Sequence, residues 1–366
     1  MGLDSYPGAD AFTAPPTSLN SMPLTTAPPA PSVVFTLALA LVSNEVLAFA
    51  PNDITPCRSA VSSQPRDVSP LAATLTDRQL QFWEDVEDGL DDVSAVFEGK
   101  GFDIERIRAF GISARGETPP PVGDAIGHQP SEEHVEGLTP RPFWDVADDA
   151  VNFPWAADLE AKSHVIRNEF EAKLGEDGSF FAGDSAWQNA VMGTGWSAFR
   201  LQRLGVWNVK NCKQFPKTYE ILRSLEIPLA VRGVCFARQA AGSGVAPHSD
   251  GRNFILTSHL GLRVPEGCWI KVGEEERTWE EGKLTTVDTS FEHSTGNPAE
   301  GERHVLIIDF WHPELTEAER AALEFVYDLR NKFENGEIEV RAPRSKRKEQ
   351  GGGLNGLWSS LTGGGN

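Results

Sequence analysis

Positive charge is what this chain of 366 residues is short of: 33 Lys and Arg stand against 53 Asp and Glu, a formal net charge of −20. Nucleic acid is gripped through its phosphates by a cationic surface, so the composition excludes it as an expected partner. The one basic run, Arg341 to Lys348, lies in the tail. Cysteine is scarce too. Cys57, Cys212, Cys235 and Cys268 show neither CxxC spacing nor the density of a disulfide scaffold, and reduced thiols are the expectation. Long apolar runs are also missing: Val33 to Val42, VVFTLALALV, has the length of a signal-peptide core and is too short to span a bilayer, so no stable transmembrane anchor is expected. What remains, with 40% hydrophobic residues, is enough to bury a sizeable core in one large or two modest domains.

The first segment, residues 1–70, reads as a largely disordered targeting leader. No Lys or Arg precedes Arg58, so a cationic n-region is absent, and initiation at Met22 would give a more ordinary length. The apolar run is followed by LAFAPN and a Ser/Arg-bearing stretch, which resembles the bipartite plastid leaders of algae with red-lineage plastids. A plastid address is therefore expected, with the secretory pathway or the cytoplasm as alternatives. Residues 71–110 hold an acidic amphipathic helix: Leu80, Trp83, Val86, Leu90, Val93 and Phe97 recur at three and four, Thr76 with Gln79 makes a capping box, and Glu84, Asp85, Glu87, Asp88, Asp91 and Asp92 form a solvated face. Residues 111–142, rich in Gly, Pro and charge, read as a linker, and 331–366 as a basic and then Gly-rich disordered tail.

Between them, residues 143–330 form the main domain. One helix is expected from Phe153 to Leu174, followed by short apolar runs punctuated by Gly, Pro, Asn and Asp. The strands read as Leu229 to Ala237, Asn253 to Arg263, Cys268 to Val272, Lys283 to Asp288 and His304 to Trp311. Close antiparallel strands of this kind predict a mainly β fold with flanking helices, a double-stranded β-helix of the jelly-roll, cupin-like type.

The mouth of such a barrel can hold a metal, and VAPHSDGRNFILTSHLGL carries the residues for one. In an extended chain residues two apart point the same way, so His248 and Asp250 would face together. An imidazole and a carboxylate are two of the three ligands of a non-haem iron(II) facial triad, and His293, in DTSFEHSTGN, is the candidate for the third. Arg303, at the start of RHVLIIDFW, would point inward and grip the distal carboxylate of 2-oxoglutarate with two parallel hydrogen bonds. Along the strand after His248 and Asp250, Ile255, Thr257 and His259 share a face, so His259 can also reach a cosubstrate. His312 reads as a structural corner, and Glu266, Glu274, Glu275, Glu276, Glu280 and Glu281 as solvated connections.

These residues, within HLGLRVPEGCWIKVGEEERTWEEGKLTTVDTSFEHSTGN and RHVLIIDFWHPELT, resemble the aspartyl/asparaginyl β-hydroxylases, 2-oxoglutarate-dependent iron(II) oxygenases with a double-stranded β-helix. The resemblance covers about half of the chain and is strongest from Val231 to Leu315. It implies that His248 and His293 bind iron(II), that Arg303 partners the far carboxylate of 2-oxoglutarate, and that His259 touches its metal-binding end. Where the animal enzyme has glycine and uses two histidines alone, this chain has Asp250, as do the bacterial lipid A hydroxylases, so a full triad is available. A basic cosubstrate contact of the animal enzyme corresponds to Thr257 and a serine to Ala237, leaving Arg238 or Arg252 as candidate replacements. The helical-repeat region and membrane anchor of the animal enzyme have no counterpart, so its substrate class is not carried over.

The implied activity is an iron(II)- and 2-oxoglutarate-dependent dioxygenase that consumes O2 and hydroxylates an unactivated carbon, held beside Trp311 or Trp269. The β-carbon of a peptidyl Asp or Asn is the expected target. The alternatives are a non-catalytic jelly-roll binding module and a hydroxylase of a lipid acyl chain, so the partner is a protein, peptide or lipid substrate.

Overall fold

The computed structural model describes residues 75–115, 117, 118, 133–176, 178–181, 186, 187, 192, 195–339, 341 and 344. The expected leader and most of the expected tail lie outside them, as does most of the Gly/Pro stretch from Gly116 to Ser131. Twelve strands are described among these residues: β1 (Phe143–Trp144), β2 (Ala186–Trp187), β3 (Trp196–Arg203), β4 (Val206–Trp207), β5 (Leu229–Gln239), β6 (Ser243–His248), β7 (Ile255–Arg263), β8 (Trp269–Val272), β9 (Glu275–Thr278), β10 (Leu284–Asp288), β11 (His293–Asn297) and β12 (Arg303–Trp311). The helices are α1 (Asp77–Phe97), α2 (Glu105–Ala114), α3 (Ala156–Glu176), α4 (Val209–Cys212), α5 (Pro216–Ser224) and α6 (Glu317–Glu334). None of the described helices is long and apolar enough to cross a membrane.

The strands form two antiparallel sheets, ordered β1-β10-β7-β12-β5-β3-β2, with β4 on β3, and β6-β11-β8-β9. Period-2 alternation divides the larger sheet cleanly. Phe199, Phe236, Leu256, Leu260, Leu306 and Ile308 point outward and are buried under α3 and α5. Trp196, Ala198, Ala237 and Val305 point inward and pack against Val245, Ile270 and Val272 of the smaller sheet. This is the double-stranded β-helix the strand spacing predicted, with an interior between the sheets.

α1 is capped as expected, Thr76 accepting from the Gln79 backbone while the Gln79 side chain accepts from the Thr76 N–H. Its buried stripe takes Phe82 as well as Trp83, Val86 and Leu90. That stripe joins Phe110 of α2 and Leu323 and Val326 of α6 around Phe254 and Trp311. The acidic face meets the tail, Asp85 pairing with Arg341 and Asp88 with Arg344. Residues 111–114 belong to α2, and Val135 and Leu138 are buried, with Asn253 bonding both the N–H and the C=O of Val135.

Glu133 ties this strip to the sheet. Its carboxylate accepts from Arg330 Nη1 at 2.6 Å and Tyr327 OH at 2.9 Å and pairs with Arg252. Burial pushes its pKa up, but the charges of Arg252 and Arg330 more than offset this and bring it down to about 2. A carboxyl depressed on folding contributes stability above its unfolded pKa and loses it as pH falls through the folded value. Glu133→Gln is therefore expected to melt several degrees below the parent at neutral pH, and the gap should close as pH falls toward 2; thermal melts across that range test it.

Candidate metal centre

In the smaller sheet β6 and β11 pair so that His248 lies directly opposite His293, with ring centroids 4.2 Å apart. The backbone sets both tautomers. His248 Nδ1 sits 2.9 Å from the Ala246 carbonyl and His293 Nδ1 3.0 Å from that of Phe291. A carbonyl only accepts, so each Nδ1 carries the proton and each Nε2 keeps a lone pair. Nε2 of His248 is buried without a hydrogen-bond partner among the described residues. Burial also holds the His293 pKa below its ordinary value, keeping that ring neutral.

Asp250 completes the cluster: one ligand atom from each of His248, Asp250 and His293 lies within 4.8 Å of the others. The convergence does not come from strand alternation, because β6 ends at His248. A turn delivers Asp250 instead, with Ser249 Oγ donating to Ser290 O at 2.6 Å, Asp250 N to Thr289 O at 2.8 Å, and Gly251 in the left-handed region at φ +69°. Burial would raise the Asp250 carboxyl pKa, but the charge and hydrogen bond of the Arg232 guanidinium outweigh it and hold it well below the usual range. Two imidazoles with free Nε2 atoms and an ionised carboxylate are the donor set of a non-haem iron(II) facial triad, and the residues fit that ion.

Arg303, the first residue of β12, is 2% exposed and stacks on Trp279 with its guanidinium carbon 4.3 Å from the ring centre. Its Nε and Nη1 find no partner among the described residues. Burial lowers its pKa to about 10, which leaves it charged at neutral pH. A buried charge with no counter-ion among the described residues is costly, and an anion in the cavity would offset that cost. His259, on β7, accepts at Nδ1 from Trp279 Nε1 at 3.1 Å, so its proton is on Nε2 and that atom is a donor, not a metal ligand. Burial, with the Arg303 charge, pushes its pKa down to about 3.

All five expected site residues line one cavity of about 410 Å³, together with Trp196, Arg200, Arg203 and Arg232. Neither tryptophan expected beside the substrate does so. Trp311 shares the inward face with Asp309 but lies beyond the cavity, packed with Phe254 in the helical cluster, and Trp269 lies over Gly296. His312 is a corner, its Nδ1 accepting from Glu314 N and its ring edge-on to Trp144. Of the candidate replacements, Arg238 is outside the lining, bound to Ser197 and Glu302. Arg252 lines the cavity but is engaged by Glu133 and Tyr327. The guanidinium that does lie against Thr257 belongs to Arg232, 2.9 Å from the hydroxyl. Sequence reasoning passed over Arg232, although a lone charge in the apolar strand LAVRGVCFA was a visible signal. Trp279 gave none.

Two sheets closed around a His-Asp-His cluster define a double-stranded β-helix protein whose mouth carries a candidate metal site. Residues 160–313 match the model of the family Aspartyl/Asparaginyl beta-hydroxylase, and the domain over those residues is one of that family. It is 35% identical over 210 residues to the human aspartyl/asparaginyl beta-hydroxylase, spanning 55% of this chain and 27% of that protein. It is 33% identical over 176 residues to aspartate beta-hydroxylase domain-containing protein 2 of Rattus norvegicus, spanning 46% of this chain and 51% of that one. The chain thus matches between about a quarter and a half of the length of these relatives. Among solved structures it is similar to the non-heme alpha ketoglutarate dependent epimerase SnoN from nogalamycin biosynthesis at 17% identity, over 41% of this chain and 78% of that one, with a TM-score of 0.28.

Proposed function

We propose that this protein is an iron(II)- and 2-oxoglutarate-dependent dioxygenase that hydroxylates the β-carbon of a peptidyl aspartate or asparagine. The observation that carries this reading is the placement, in one cavity, of a His248-Asp250-His293 cluster and a buried Arg303 whose Nε and Nη1 have no hydrogen-bond partner among the described residues. Iron(II), when bound, supplies the chemistry that couples oxidative decarboxylation of 2-oxoglutarate to reduction of O2 and transfer of one oxygen to the substrate. His248 Nε2, His293 Nε2 and an Asp250 oxygen would hold the ion. Arg303 receives the distal carboxylate in its fork, braced by Trp279, and His259 offers its Nε2–H to the cosubstrate. Val245, Ile270 and Val287 line the same cavity and keep water from the reacting end.

The charge of the lining bears on the substrate. Five arginines line the cavity, and its two acids, Asp250 and Asp309, both pair with one of them, Arg232. In a chain of net charge −20 this is a local excess of positive potential. It favours a carboxylate-bearing side chain over an amide, and both over an acyl chain, which has no charge to offer. The compartment we propose is the plastid, on the leader alone.

The full chain supplied with iron(II), ascorbate, O2 and 2-oxoglutarate is expected to form succinate slowly, and faster with an aspartate peptide than with its asparagine twin, the peptide gaining one oxygen in mass. Failure to form succinate together with failure to retain iron would leave the non-catalytic binding module as the better reading.

A further inference from the structure

We propose that Arg232 is a positioning residue that pins Asp250 as a one-oxygen ligand of the metal site. The proposal rests on reading His248, Asp250 and His293 as that site.

Arg232 stands at the centre of four acceptors drawn from four parts of the chain. Its Nη1 pairs with Oδ2 of Asp250. Its Nη2 lies 2.9 Å from Thr257 Oγ1, 3.1 Å from Thr289 Oγ1 and 3.2 Å from Asp309 Oδ1. The Thr257 hydroxyl in turn donates to Asp309 Oδ1 at 2.6 Å, so its proton is committed and a lone pair is left for the arginine. Thr257 and Asp309 are direct partners in the β7–β12 ladder, and Arg232 reaches them from β5 on the other side of β12. The hub is therefore a row across three strands, anchored in the rigid part of the fold.

Asp250 lacks that rigidity of its own. It sits in a turn beyond the end of β6, and nothing in the turn itself stops its carboxylate from rotating about the side-chain bonds. A carboxylate free to rotate can present both oxygens to an ion, and a second oxygen would occupy a position that cosubstrate or dioxygen needs. Arg232 holds Oδ2 and leaves one oxygen facing the histidines. Lysine would not serve, because the work is divided between two nitrogens of a planar fork.

The local backbone is built for this aim. Gly233 follows Arg232 at φ +77°, and a Cβ there would stand 2.3 Å from the Gln202 carbonyl oxygen. The β3–β5 register shifts beside it, between Arg200 and Gln202. A bulge with an obligatory glycine turns the neighbouring side chain toward the interior.

The test is a double-mutant cycle read by cobalt(II) binding to purified full-length protein without 2-oxoglutarate, with the cobalt absorption spectrum as a second readout. Arg232→Ala is expected to weaken cobalt binding by roughly 10–100-fold, the usual loss when an outer partner of a ligand is removed. Arg232→Lys should recover only part of it. In an Asp250→Ala background, Arg232→Ala should change affinity by less than about twofold, because the ligand it acts through is gone. Should Arg232→Ala not fold with Asp309 left unpaired, Arg232→Ala/Asp309→Asn replaces it in the cycle. Equal losses in both backgrounds, or no loss in either, would overturn the proposal. A parent that binds no cobalt at all would instead bring down the metal-site reading, and the proposal with it.

Discussion

His293→Ala is expected to leave a folded protein that retains no iron after desalting and forms no measurable succinate. His293 begins β11, which pairs with β6 on one side and β8 on the other, so both neighbours hold the strand after truncation. What disappears is one of two imidazole Nε2 donors whose proton positions were fixed in advance by backbone carbonyls. A histidine and a carboxylate alone make an incomplete site, and the loss of affinity should exceed the roughly 10–100-fold that outer partners cost. Metal analysis and a thermal melt on the same sample decide it. Stoichiometric iron in the variant would remove His293 from the site.

Arg303→Ala should separate cosubstrate from metal. The variant is expected to keep its iron, because the guanidinium makes no hydrogen bond or ion pair to the three clustered side chains and stacks on Trp279. Truncating one partner of a buried charged pair costs on the order of 2–5 kcal/mol, which corresponds to roughly a 30-fold to several-thousand-fold rise in the 2-oxoglutarate needed for half-saturation. Arg303→Lys should lie between, since lysine brings the charge without the fork. Anaerobic titration of 2-oxoglutarate into metal-loaded parent and variants measures this directly. Equal affinities would dismiss Arg303 from the cosubstrate site.

Both variants concern residues that were legible one segment at a time. Strand alternation put Thr257 and His259 on one inward face, and the apolar run after Arg303 marked β12 with its charge at the mouth. Capping chemistry located α1 to the residue. Asp250 was found by an argument that the structure replaces: the residue converges on His248 through a turn pinned at Ser290 and Thr289, not through continued extension. Trp269 and Trp311 show the opposite failure, because whether an aromatic reaches the cavity depends on what covers each face and each end of the sheets. Trp311 is claimed by the α1, α2 and α6 cluster.

By itself the sequence determined everything that depends on neighbours along the chain: the antiparallel strands, the HxD pair, the inward arginine, and the acidic excess. Only the tertiary structure decided how those pieces are charged and held. Arg232 meets Thr257 from 25 positions away and Asp309 from 77, and Trp279 links His259 to Arg303 in one stack. Such contacts arise where sheet pairing brings remote segments together. No local periodicity encodes them, because their energy comes from burial and charge pairing that exist only once the two sheets have closed.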